Sequence, residues 1–243
     1  MTKQQNIFIV RYGLTEFPLV ESVGPFDSDI NTEVKHAGAI ARKIAESGDG
    51  LPKHVYASPF LRTVHTGSII AESLVANGAK PLRIEDGLTE WKQPSLLVEP
   101  NGTRTYPKSV QEHSQRFPII DTDYKSQNPV ANDDNWEDEE ALYQRCATTL
   151  DKILDLEHGN NFVLVSHAPC DIAMAGYLEG KQLKDSTLPP LALGGITRFS
   201  RVVQSDGTSG EWKMESYGST DHMPGEYKDG LKHWTLPSLA KTA

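Results

Sequence analysis

The sequence has little cysteine, an excess of one charge sign and no long hydrophobic run, and each shortage excludes something. Only Cys146 and Cys170 are present, too few for a disulfide scaffold or a four-cysteine zinc site, and a reducing, cytoplasmic or nuclear home is the simplest expectation. The sequon Asn101-Gly102-Thr103 then carries little weight. No run approaches the roughly 18 consecutive apolar residues that a membrane span needs. The polar start, Met1 to Gln5, leads straight into an apolar segment, so neither a membrane partner nor a cleaved leader is expected. Basic residues are outnumbered, 24 Lys and Arg against 33 Asp and Glu, for a net charge of −9. A general nucleic-acid partner is therefore disfavoured, and a polyanionic ligand needs a local positive pocket. The eight histidines form no His-Glu-x-x-His or tight His/Asp spacing, so no metal and no cofactor is expected.

What is present reads as an α/β protein. Ile7 to Val10, Val55 to Ala57 and Phe162 to Val165 are short apolar or β-prone runs bounded by polar residues, the pattern of buried strands in a mostly parallel sheet. Ile196 to Val203 and Trp212 to Tyr217 read as two further strands around the Asp206-Gly207 turn. A helix over 33–46 carries Val34, Ala37, Ala41, Ile44 and Ala45 on one face, with Asn31 and Thr32 as candidate caps and Gly48 as a stop. A second, over 138–157, carries the stripe Leu142, Cys146, Leu150 and Ile153 behind the acidic run Glu137 to Glu140, read as a solvated helix start. Ser58-Pro59 signals a third, with serine as cap and proline as first helical residue, running through Ile69, Ile70 and Leu74. Residues 92–136 are rich in Pro, Asn, Asp and Ser and too long for an ordinary connection, which suggests a lid or binding insertion. One domain over 1–243, with this insertion and an irregular tail from about 218, is the economical organisation. His222, Tyr227, His233 and Trp234 of the tail either pack on the core or fold over a pocket mouth.

Ligand sites in such sheets lie past the carboxyl ends of the strands. There the sequence offers Arg11-Tyr12-Gly13, then Ser58-Pro59-Phe60-Leu61-Arg62, then Ser166-His167-Ala168. Two guanidiniums and an imidazole beside helix N-termini suit a tetrahedral dianion, because arginine grips phosphate oxygens bidentately and helix amides add positive potential. The inferred ligand is a phosphoryl group. Glu90, in Gly87-Leu88-Thr89-Glu90-Trp91, adds a carboxyl that can stay protonated near a phosphate and donate to a leaving oxygen.

In this order the motifs resemble the histidine phosphatase, or phosphoglycerate mutase-like, superfamily over roughly residues 6–203. The segments Asp27-Ser28-Asp29, Ala57-Ser58-Pro59-Phe60, Gly87 to Trp91 and Val165 to Ala168 look most like the branch holding the phosphatase domains of the Sts (UBASH3) proteins and of a yeast RNA polymerase III transcription-factor subunit. The resemblance implies a three-layer sandwich with helices on both faces of the sheet. It also implies a phosphate pocket of Arg11, Arg62 and His167, with Glu90 as proton donor. A phosphorylated small molecule or phosphopeptide is the implied partner. The match departs at two positions: Tyr12 stands where the family has its nucleophilic histidine, and Glu16 where many members carry a polar or basic substrate contact. Tyr12 then either serves as a substitute nucleophile or packs at the sheet edge with no covalent role, which leaves a protein impaired or inactive as a phosphatase.

Overall fold

The alternation of side chains along a strand decides how this sheet is covered. In a computed structural model, which describes residues 2–14, 29–30, 35–48, 50–74, 81–98, 102–133, 135–230 and 233–241, six strands form one sheet. Met1, Glu16, Asp27, Ser28, Asn31, Thr32, Val34 and Asn101, each drawn on above, lie outside the described residues. The strands are β1 (Lys3–Arg11), β2 (His54–Ala57), β3 (Leu82–Ile84), β4 (Phe162–Ser166), β5 (Ile196–Val203) and β6 (Lys213–Ser219), in the order β3-β2-β4-β1-β5-β6. The four on the β3 side run parallel, while β5 pairs antiparallel with both β1 and β6.

Successive residues of the central strands point to opposite faces. Phe8, Val10, Val55, Ala57, Val163 and Val165 join α1 (His36–Ala45) and α2 (Leu61–Leu74) in one apolar cluster. Ile7, Ile9, Tyr56, Phe162 and Leu164 join α5 (Glu139–Glu157) and α6 (Ala168–Leu178) in the other. A sheet buried on both faces needs strands that are apolar throughout, which is why these runs carry no polar alternation. The result is the expected mixed, mostly parallel α/β sandwich.

The helices follow their stripes with instructive differences. Leu142, Cys146, Leu150 and Ile153 are all fully buried along α5, whose start is capped by the Asp138 carboxylate accepting from the Ala141 amide. Glu137, expected to be solvated, instead grips Arg145 through Nε at 2.7 Å and through its NH2 group at 2.8 Å. The buried face of α1 is Ala37, Ile40, Ala41 and Ile44, whereas Ala45 is exposed. Helix α2 begins at Leu61, three residues after Ser58: the Thr63 and Val64 amides donate to the Phe60 carbonyl, so Ser58 is not its cap. Strand β3 went unread because three residues are too few to show a period.

The described residues of the stretch 92–136 are held rather than loose. They contain α3 (Pro94–Leu97) and α4 (Val110–Arg116), the latter opened by a capping box between Ser109 and Glu112. In the tail, Tyr227 stacks edge-on against His36 and Trp234 against Trp91, so these two rings pack on the body of the protein. Among the described residues no helix is long and apolar enough to cross a membrane.

Candidate active site

Strand β4 lies between β2 and β1 and runs parallel to both, so three carboxyl ends stand side by side. The ladder continues one residue beyond the strands, with the Tyr12 amide donating to the Ser166 carbonyl at 3.3 Å and the Ser58 amide to the Val165 carbonyl at 3.0 Å. That registration sets Tyr12 level with His167, and Ser58 one residue short of them, level with Ser166. The chain from β1 to β2 must cross over β4, which makes this edge a topological switch point, where open α/β sheets bind their ligands.

Arg62 enters from the first turn of α2 and Glu90 from the loop after a 3-10 turn at Asp86–Leu88. The Arg62 NH2 group donates to Glu90 Oε2 at 3.1 Å, and His167 Nδ1 lies 3.0 Å from the same oxygen. On the other side of the imidazole, Nε2 faces the Ser58 hydroxyl at 2.8 Å. The Phe60 ring closes one flank of His167 edge-on, with centroids 5.5 Å apart. Tyr12 closes another at 5.6 Å and covers the Arg62 guanidinium at 4.9 Å. Arg11 is 5.8 Å from the Tyr12 centroid and sends one nitrogen to the Leu191 carbonyl at 2.5 Å. Of the residues expected at the site, Tyr12, Arg62, Glu90 and His167 therefore meet directly. Arg11 borders them through Tyr12.

Burial acts on both titrating groups at the centre. It pushes the Glu90 carboxyl up, but His167 and Arg62 on its oxygen outweigh that and hold it down to about 2. Burial pushes the His167 imidazole down to about 4, against the pull of Glu90. At neutral pH the arrangement is a carboxylate and an uncharged imidazole. The expectation that Glu90 stays protonated concerns a pocket holding a phosphate, whereas here Arg62 and His167 alone face its carboxylate.

Several supporting residues escaped sequence reasoning. Arg145 donates to the carbonyls of Gly87 at 2.8 Å and Thr89 at 3.0 Å, and the Cys170 thiol also donates to Thr89, which fixes the loop carrying Glu90. At Gly87 a Cβ would overlap Thr149, so only glycine lets this loop approach α5. Asp171, in the first turn of α6, is fully buried, and burial pushes its carboxyl well above the ordinary range. All these contacts join residues distant in sequence and leave no local pattern to read. Among the described residues no group of three His, Cys, Asp or Glu side chains is placed to hold a metal ion.

Residues 7–217 match the histidine phosphatase superfamily (branch 1). The human ubiquitin-associated and SH3 domain-containing protein A is 26% identical over 170 residues, a stretch covering 66% of this chain and 24% of that protein. The chain thus matches only about a quarter of that relative's length. Among solved structures, the ecdysone phosphate phosphatase of Bombix mori, in complex with tungstate, superposes with a TM-score of 0.63 at 16% identity, covering 95% of this chain and 98% of the other. A phosphoserine phosphatase mutant from Entamoeba histolytica, in complex with phosphoserine, gives a TM-score of 0.55 at 18% identity, covering 90% and 99%. At these identities the structural likeness speaks for the fold.

Proposed function

The chain belongs to the histidine phosphatase superfamily, and from that premise we propose that it binds phosphoryl groups at the β1, β2 and β4 ends while turning them over poorly or not at all. The observation that carries this reading is the position of Tyr12, whose ring lies over the Arg62 guanidinium and edge-on to His167. By resemblance this is the nucleophile's place. An imidazole is largely unprotonated and nucleophilic at neutral pH, whereas a phenol is almost wholly protonated. A phosphotyrosyl ester also passes its phosphoryl group to water far less readily than a phosphohistidine. Even a successful first transfer would stall.

Binding needs none of that chemistry. Arg62 and His167 supply donors to a dianion, Arg11 lies at the border, and the amide end of α6 adds positive potential. A dianion arriving beside Glu90 adds a like charge, which raises that carboxyl toward its protonated form. In that state Glu90 becomes the donor to a leaving oxygen, so its resting ion pair and its proposed role are compatible. The ligand class is a phosphorylated small molecule or a phosphopeptide. A second reading, an active phosphomonoesterase, draws on the close grouping of Arg62, Glu90 and His167 and on the likeness to phosphatases. Turnover that disappears in Tyr12→Phe would favour it.

Thermal unfolding in tungstate or vanadate tests the binding half. A ligand of the native state alone adds about 2.7 kcal/mol of stability at a hundred times its Kd. The expected result is a Tm that climbs with oxyanion concentration in the native chain and stays flat in Arg62→Ala. A flat Tm in both would leave an interaction module without a phosphoryl site.

A further inference from the structure

An arginine donates from both edges of a planar fork, and at Arg145 acceptors surround the whole fork. Nε donates to Glu137 Oε1 at 2.7 Å, and Nη2 to Glu137 Oε2 at 2.8 Å. Nη1 donates to the carbonyls of Gly87 at 2.8 Å and Thr89 at 3.0 Å, and Nη2 also reaches the Glu90 carbonyl at 3.5 Å. The main chain that carries Glu90 is thus turned toward one guanidinium. Glu137 does more than neutralise that guanidinium. Its Oε2 also accepts from the Lys92 amide at 3.2 Å, and its own amide donates to the Lys92 carbonyl at 2.9 Å. Its carbonyl accepts from Trp91 Nε1 at 3.0 Å and from the Gln93 side-chain amide. Both ends of the 92–136 insertion are therefore tied to one residue.

We infer that Glu137 is a positioning residue for Glu90, and that it makes the placement of that carboxylate depend on how the two ends of the insertion are joined. Two lines of contact connect them. One runs from the Glu137 carboxylate through Arg145 to the main chain of residues 87–90. The other runs from the Glu137 carbonyl through Trp91, whose amide donates to Glu90 Oε1 at 3.0 Å. Oε2 of Glu137 is the joint, because Lys92 from the insertion and Arg145 from α5 both donate to it. Only 7% of the Arg145 side chain and 13% of that of Glu137 are exposed, so water does not readily replace a lost arm. What the joint controls is Oε2 of Glu90, set between Arg62 at 3.1 Å and His167 Nδ1 at 3.0 Å. Arg62 and His167 are carried by other elements, so a drift of the 87–90 loop would move the carboxylate off partners that stay in place. The consequence for a ligand rests on the phosphoryl reading: the insertion then takes part in placing the donor to the leaving oxygen.

The test is carbon-13 NMR of the full chain labelled at the glutamate carboxyl carbon, from pH 7 to pH 3 with no oxyanion added. The Glu90 signal is assigned by its loss in Glu90→Gln. In the native chain it should keep its ionised position through most of that range, since His167 and Arg62 hold the carboxyl down to about 2. Glu137→Gln sets an NH2 group against donors whichever way the amide turns, and the Glu90 midpoint should rise by about one pH unit, a tenfold change in proton affinity. Asp138→Ala loosens the start of the same helix but spares the joint, so it should leave the midpoint in place and separate positioning from lost stability. A native Glu90 that titrates in the ordinary carboxylate range overturns the inference. So does a midpoint unmoved in Glu137→Gln, or moved equally in Asp138→Ala. Should Glu137→Gln fail to fold, Arg145→Lys keeps the charge without the fork and should give the same rise, an unmoved midpoint there being equally fatal. Independently of any variant, the Arg145 guanidinium hydrogens of the native chain should appear separately, and an averaged signal would overturn the joint. Because no oxyanion is present, failure here is distinct from failure of the tungstate experiment.

Discussion

Two buried carboxylates five residues apart, Glu85 and Glu90, show that burial of a charge does not by itself mark a functional site. Glu85 accepts from the Tyr124 hydroxyl at 2.6 Å, the Ser126 hydroxyl at 2.7 Å, and the amides of Gln127, Asn128 and Gly87 at 2.8, 3.0 and 3.2 Å. All five donors are uncharged, and four come from one stretch of the insertion. Such a carboxylate is a knot tying that stretch to the end of β3. Glu90 has a backbone donor in Trp91, but its other partners are a guanidinium and an imidazole. Those partners belong to the proposed phosphoryl pocket, where an arriving dianion would redirect them. The kind of partner separates the two regions more sharply than depth does.

The largest expected effect falls on the knot. Glu85→Ala leaves five buried or half-buried donors without an acceptor, and at roughly 1–3 kcal/mol for each such group the loss should be about 4 kcal/mol or more. Denaturant unfolding measures it. A loss under about 1 kcal/mol would mean that water or other acceptors replace the carboxylate and that the contrast with Glu90 is weaker than drawn.

Glu90→Gln keeps the shape of the pocket while removing the charge, and it should cost less, about 2 kcal/mol at neutral pH. Its signature is the pH dependence. A carboxyl held down to about 2 contributes stability that is fully present above the ordinary carboxylate range and lost as pH falls toward 2. His167, held down to about 4, adds sensitivity in the same direction between about 6.5 and 4, because the unfolded chain binds that proton more readily. Unfolding measured from pH 7 to pH 3 should therefore show the gap between the native chain and Glu90→Gln closing with acid. A constant gap would place the stabilisation in packing and not in charge.

The smallest effect belongs to the periphery. Asp138→Ala removes the cap of α5 and should cost about 1 kcal/mol with no change in oxyanion binding. Loss of binding in that variant would mean that α5 transmits to the pocket, through Arg145, more than its contacts suggest.

The legibility of the sequence follows the same division. Strands β1, β2 and β4 announce themselves because double burial forces continuous apolar runs, and the strand ends place Arg11, Arg62 and His167 in view. Tyr12 is visible for the same reason. The roles of Ser58, Glu85, Arg145 and Glu137 were not legible, since each is made by hydrogen bonds to residues outside its own local pattern. Ser58 was misread for a physical reason: serine before proline is a helix-start signal, and only the fold shows that α2 begins later. The resting charge of Glu90 was hidden too, because nothing local shows that Arg62 and His167 converge on one of its oxygens.

Steady-state hydrolysis of a generic aryl phosphate by the native chain and by Tyr12→His, side by side, tests the central claim most directly. The account predicts that the native chain is silent or nearly so and that the histidine variant turns over about a hundredfold faster or more, the nucleophile alone having been restored to an intact pocket. Brisk turnover by the native chain that Tyr12→Phe abolishes would contradict it, and would make Tyr12 a working nucleophile.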